Sequence, residues 1–289
     1  MLKDCLFYEN PCAPFTRAIA QSGANLGPGL NNSPKTEEKA FKVGLDIATK
    51  LGCTEGPEIL GCLQSIEDGY DILKANDYKT IFANIDSILG EESFLPNLPR
   101  DILKTGKMNA VDLIIGVNHD EGLEAIVDLL KDPGNDSNFE FVRDNWDTFG
   151  PYMLFDQDIE DITSEVVDLS NQVAEFYLPD GGVENYNAEH LDGIVKMFTD
   201  AWYWYTTDDW TRLAVQNNLT VYRYINSYDS ILSLLLFING VPNMSDYGVC
   251  HADELLLLFG GALSSIFTEE DITVSKNFVS WWTNFAKYG

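Results

Sequence analysis

The sequence predicts an α/β fold carrying large helical insertions. Two short apolar runs rich in branched residues read as buried strands, and long amphipathic stretches separate them. Gly and Pro are scattered rather than gathered into a linker, and neither an internal repeat nor a low-complexity tract divides the chain. The 289 residues, 45% of them hydrophobic, suffice for a sizeable core, so residues 1–289 are read as one structural unit.

The elements follow in order. Ser33-Pro34, an N-cap followed by a proline suited to a first helical position, predicts a helix over 35–51 that presents Phe41, Leu45, Ala48 and Leu51 on one face and stops at Gly52. Shorter helices are expected over 57–65 and 68–75. The stretch from Phe94 to Pro99 must be extended, because Pro96 and Pro99 each push their predecessor out of the helical region. Val111 to Val117 reads as a buried parallel strand whose C-terminal end runs into charged residues. Residues 138–148, 158–177 and 187–217 have helical periodicity, the last stretch in two pieces, and Thr220 to Ile225 is the second strand. Thr268-Glu269-Glu270-Asp271 reads as a capping box opening a helix through Trp281, Trp282 and Phe285.

Charge narrows the function classes. With 18 basic and 46 acidic side chains the net charge is −28, a field that repels phosphate backbones and anionic lipid and argues against nucleic-acid partners. The longest apolar run, Ile231 to Ile238, is far below the roughly 18 to 20 residues needed to cross a bilayer, so no transmembrane segment is expected. Met1-Leu2-Lys3-Asp4-Cys5 does not read as a secretory signal, which leaves a cytosolic protein or a chain lacking its true N-terminus. Four N-x-S/T sequons, at Asn31, Asn135, Asn218 and Asn243, favour the second option and an extracellular location, with the signal peptide in the missing part. Cys53 and Cys62 have a spacing that either a small disulfide loop or two buried thiols would satisfy. Cys5, Cys12 and Cys250 bring the total to an odd five, which points to a lost partner.

Functional groups in open α/β sheets gather beyond the carboxyl ends of the strands. Glu121 follows the first strand and His251 lies in a loop after the second. His119 and His190 are the other histidines. His190 reads as a surface residue, and His119-Asp120-Glu121 lacks ligand spacing, so neither a metal nor another cofactor is expected. Gly248 to Leu255 places His251 ahead of an apolar helix. It can be a base held by the following turn, or part of an ordinary first turn with acids at the positive end of the helix dipole.

Within Asn10 to Asn25, the run Phe15-Thr16-Arg17-Ala18-Ile19-Ala20-Gln21-Ser22-Gly23 resembles the segment after the nucleophile helix in type-B carboxylesterases, the family that includes cholinesterases and bile-salt-activated lipase. Phe94-Leu95-Pro96, then Ile115 to Gly122, Gly248 to Phe259, and Trp282 to Gly289 resemble further family segments in the same order. The resemblance implies an α/β-hydrolase fold, Glu121 as triad acid, His251 as general base and a disulfide at Cys53 and Cys62. It also implies that Ser22 and Glu254 are supporting groups near Glu121. Two buried carboxylates close together cannot both ionise cheaply, so Glu254 would share a proton or take a hydroxyl donor such as Ser22. The alternative is Ser22 as a helix-end residue and Glu254 as a solvated helix acid. In such a triad the base takes the nucleophile's proton while the acid fixes the imidazole tautomer.

Departures matter as much. No G-x-S-x-G elbow occurs anywhere in the sequence, nor a glycine-rich loop of oxyanion donors. The resemblance therefore implies a partial α/β-hydrolase fold, the C-terminal portion of a single domain, inactive alone because Glu121 and His251 have nothing to activate. The intact enzyme would take a small-molecule carboxylic ester or lipid. The alternative is a non-catalytic cholinesterase-like adhesion or receptor-binding ectodomain, since members of this family have abandoned catalysis. The aromatic run Trp202-Tyr203-Trp204-Tyr205 is read as packing rather than as a site.

Overall fold

A computed structural model describes residues 15–24, 26, 36–53, 56, 58–76, 85–108, 110–132, 134–243 and 246–289. In chain order the elements are β1 (Arg17–Gln21), α1 (Glu37–Lys50), α2 (Ile59–Gln64), α3 (Gly69–Ala75), α4 (Pro99–Thr105), β2 (Asp112–Asn118) and α5 (Leu123–Leu130). Then come α6 (Ser137–Asp144), α7 (Trp146–Phe155), α8 (Ser164–Tyr177), α9 (Leu191–Phe198), a π-helical segment (Thr199–Trp204), α10 (Tyr205–Gln216), β3 (Val221–Asn226), α11 (Leu234–Ile238), α12 (Asp253–Phe259) and α13 (Glu269–Tyr288).

The three strands form a parallel sheet in the order β1-β2-β3, with Arg17 opposite Asp112 and Leu113 opposite Val221. Central β2 is buried along most of its length, whereas β3 exposes Tyr222 and Ile225 and is not the buried strand its composition suggests. β1 was not legible as a strand. Arg-Ala-Ile-Ala-Gln holds one branched residue, and it is pairing with β2 that extends it.

One sheet face, through Leu113 and Ile115, packs with Trp210 of α10. On the other, Tyr222 meets Phe285 and Tyr224 meets Trp282 of α13, with ring centroids 6.0 and 5.1 Å apart. The α13 capping box is present, Thr268 and Asp271 each accepting the other's backbone N–H. The largest core lies away from the sheet. It joins Val117 at the end of β2 to Ile126, Phe139, Trp146, Ile194 and Phe198 in the helices.

Several boundaries differ from expectation. Helix α1 is capped by Thr36, whose side chain accepts the Lys39 N–H, rather than by Ser33, and Ser33-Pro34 lies outside the described residues. Of the predicted stripe Ala48 is buried and Leu45 and Leu51 are partly so, but Phe41 is 71% exposed, and Ile47, outside the stripe, is buried. The stretch 138–148 resolves into α6 and α7, broken at Asn145, and 158–177 into a 3₁₀ turn and α8. Cys53 and Cys62 form a disulfide, Cα atoms 5.7 Å apart, that ties the end of α1 to α2. Cys250 is a free, buried thiol, and Cys5 and Cys12 lie outside the described residues.

Gly116 in β2 leaves the space that Tyr224 fills, and a Cβ there would sit 2.2 Å from the Tyr224 ring. Gly44 in α1 is exposed, with nothing within 4 Å of a built Cβ. The same substitution should therefore have opposite signs. Gly116→Ala is expected to lower the denaturant midpoint by the equivalent of about 1–3 kcal/mol, and Gly44→Ala to raise it by the equivalent of about 0.5–1 kcal/mol.

Candidate active site

The carboxyl ends of all three strands converge. The Ser22 N–H donates to Gly116 O at 2.8 Å and the His119 N–H to Asn226 O at 2.9 Å, continuing the strand pairings to the sheet edge. Ser22 then adopts a positive φ of 55°, rare for a residue with a side chain. Its hydroxyl donates to Glu121 Oε1.

Glu121 is completely buried and accepts three hydrogen bonds. Besides Ser22, the Asn118 N–H reaches Oε1 at 2.6 Å and His251 Nδ1 lies 2.7 Å from Oε2. Glu254, also buried, has its own donors: Gln21 Nε2 at 3.0 Å and Asn118 Nδ2 at 2.5 Å. The Ser22 hydroxyl thus goes to Glu121 and not to Glu254, because the turn at Ser22 aims it across the β1–β2 edge while the preceding Gln21 faces Glu254. Asn118 is the hub that sequence reading missed. Its amide also donates to Cys250 O at 2.9 Å and accepts from Asn226 Nδ2 at 2.9 Å.

The His251 loop is fastened at both ends. Asp120 N donates to Val249 O at 2.9 Å, and Val249 N to Asp120 Oδ2 at 3.0 Å. Gly248, at φ 95°, passes so close to that carboxylate that a Cβ would stand 2.4 Å from Oδ2. On the far side Asp253 accepts the Cys250 N–H, the Ser233 hydroxyl and the Leu234 N–H, all within 2.7–2.8 Å. Burial lifts the Asp253 carboxyl to about 7 against these donors. The turn that follows His251 is thus held through Asp253, two residues on, which bridges the Cys250 N–H to the start of α11.

His251 keeps 29% of its side chain exposed. With Nδ1 on Glu121, the neutral ring carries its proton on Nδ1 and a lone pair on Nε2, the arrangement a general base needs. Burial works against the charged ring. The Glu121 hydrogen bond and charge, followed by the charges of Glu124 and Glu254, outweigh it and raise the imidazole to about 9.

The other sequence-selected residues stand apart. His119 is exposed and pairs with Asp120 at 2.8 Å, and His190 is half-buried on Asn187 at 2.9 Å. Asn135, Asn218 and Asn243 are exposed, and Asn31 lies outside the described residues. Tyr203, set aside as packing, has its ring centroid 5.2 Å from that of His251. Among the described residues no helix is long and apolar enough to cross a membrane.

The sequence profile of the carboxylesterase family matches residues 7–289. Venom carboxylesterase-6 of Apis mellifera is 25% identical over 284 residues, covering 95% of this chain and 49% of its own length. Juvenile hormone esterase of Tribolium castaneum is 25% identical over 296 residues, 95% of this chain and 49% of its own. Cholinesterase of Mus musculus is 26% identical over 286 residues, 95% of this chain and 43% of its own. The chain spans about half the length of the curated relatives it matches.

An unfolded histidine releases its proton near pH 6.5, whereas folded His251 holds it to about 9. The stability this contributes is complete below about pH 6.5 and is lost as pH rises through about 9. Thermal midpoints should fall across that window, and His251→Gln should flatten the fall most between about pH 7 and 8.5, the raised Asp253 and Cys250 contributing on either side of that interval.

Proposed function

This chain belongs to the carboxylesterase family, and we propose that it carries the acid–base half of a serine carboxylic ester hydrolase. Glu121 is the triad acid and His251 the general base. The observation that supports this is the Ser22–Glu121–His251 chain of hydrogen bonds, with Glu121 sealed from water and the imidazole reaching solvent. His251 Nε2 would take the proton of a serine hydroxyl as it attacks the ester carbonyl and return it to the leaving alcohol. Glu121 would hold the Nδ1–H tautomer and stabilise the imidazolium without being protonated itself.

Ser22 is not that nucleophile, because its hydroxyl is committed to Glu121. With no G-x-S-x-G in the sequence and about half of each relative's length matched, the reading places the serine elbow and oxyanion donors outside these residues. Residues 1–289 are then the C-terminal portion of one partial α/β-hydrolase domain whose helical insertions hold most of the core. Substrates are small carboxylic esters or lipid esters. The sequons and the Cys53–Cys62 disulfide support an extracellular glycoprotein.

The test begins with the transcript, which should carry a G-x-S-x-G codon run in frame with these residues. The 289-residue chain alone should show no His251-dependent hydrolysis of a short-chain aryl ester. The extended polypeptide should hydrolyse it, and His251→Ala should lower kcat by roughly ten-thousand-fold or more. Undiminished turnover in His251→Ala, or an extended chain whose elbow serine is replaced, overturns the reading.

A further inference from the structure

Helix α9 runs into the π-helical segment Thr199–Trp204 before α10 begins, and single π turns inside helices often mark functional positions. Two residues of this segment act on the loop that carries Glu121. The Gly122 N–H donates to Thr199 Oγ1 at 2.9 Å. Gly122 lies so close to the helix that a Cβ would stand 2.1 Å from Val195 O and 2.7 Å from the Thr199 N. Four residues on, the Tyr203 hydroxyl donates to Glu124 Oε2, on the first turn of α5. Burial, then the charge and hydrogen bond of Glu124, raise the phenol far above its ordinary range, so it remains a donor wherever the protein is folded. The Tyr203 ring itself lies beside the imidazole, centroids 5.2 Å apart and planes inclined by 37°.

We propose that Tyr203 is a positioning residue for His251, walling one side of the imidazole while its own hydroxyl is tethered by Glu124, so that Nδ1 stays on Glu121. An imidazole has broad freedom about its outer torsion. The Glu121 bond fixes one nitrogen but leaves the ring plane to rock, and the aromatic wall limits that motion. Glu124 supplies the tether because its carboxylate accepts from the phenol, which holds Tyr203 between two anchors on the π segment and α5. The charged and titratable groups around the imidazole are Glu121, Glu124, Glu254 and the neighbouring Cys250, with Tyr203 on the opposing helix. This inference rests on His251 being the base.

The test reads the tautomer rather than activity. In the ¹⁵N-labelled 289-residue chain, the His251 ring nitrogens are followed by NMR from pH 7 to 10, assigned by comparison with His251→Gln. The unsubstituted chain should keep the neutral ring as a single Nδ1–H tautomer. Glu124→Gln, which loses the charge but keeps an oxygen acceptor for the phenol, should do the same. Glu124→Ala and Tyr203→Leu should shift the neutral ring to a mixture of tautomers. Glu124 is only partly buried, so Glu124→Ala decides the matter even where Tyr203→Leu fails to fold. A single Nδ1–H tautomer in Glu124→Ala overturns the proposal. So does mixing in Glu124→Gln as large as in Glu124→Ala, which would make the effect one of charge. If the tautomer pattern holds while the extended polypeptide hydrolyses esters without His251, the positioning role stands and the hydrolase reading falls.

Discussion

The interaction on which the rest depends is the buried carboxylate of Glu121. A fully desolvated charge survives in a fold only when several donors surround it. Here each donor comes from a different part of the chain: Ser22 from the end of β1, the Asn118 amide from the end of β2, and His251 from the loop after β3. Satisfying one carboxylate therefore fixes the relative placement of the three strand ends. The network extends through Asn118 to Glu254, so the two buried acids draw on separate donors and are linked by a neutral amide instead of sharing a site.

The helices make this geometry rigid. Most of the core lies among α5 to α9 and the π segment, and those helices press against the Glu121 loop at Gly122, where the approach leaves no room for a side chain. On the far face of the sheet, α13 lays Trp282 and Phe285 over Tyr224 and Tyr222, and the Trp282 indole reaches Gln21 at 3.3 Å. The last helix thus supports the same network from behind. Packing of this kind is stiff, and it holds the hydrogen-bonded cluster of Glu121, Asn118 and His251 in one arrangement.

Legibility in the sequence varied with how local the cause was. The α13 capping box and strand β2 were plain, because each is decided by contiguous residues whose pattern has few other outcomes. β1 was not, since Arg-Ala-Ile-Ala-Gln is extended by its neighbour and not by its own propensity. The face of α1 was legible at Ala48 but not at Phe41, because Phe41 is as apolar as Ile47 and only the surrounding packing chooses between them. In the hydrogen-bonded cluster, Glu121 and His251 were singled out through ordered motifs, and their side chains do meet. Asn118, Asp253 and Tyr203 were missed because an amide, a helix acid and an aromatic at helical spacing are ordinary until something is placed beside them.

The sequence by itself determined the fold class, the family, the acid and base to consider, and the absence of a serine elbow from these residues. All of these are properties of residue types and their order. Tertiary structure decided that Ser22 serves Glu121, that Gln21 and Asn118 serve Glu254, that Asp253 holds the loop, and that Tyr203 lies against His251. Hydrogen-bond partners about a hundred residues or more apart depend on strand register and on side-chain direction at single turns, such as the positive φ at Ser22. Composition and periodicity carry no information about either.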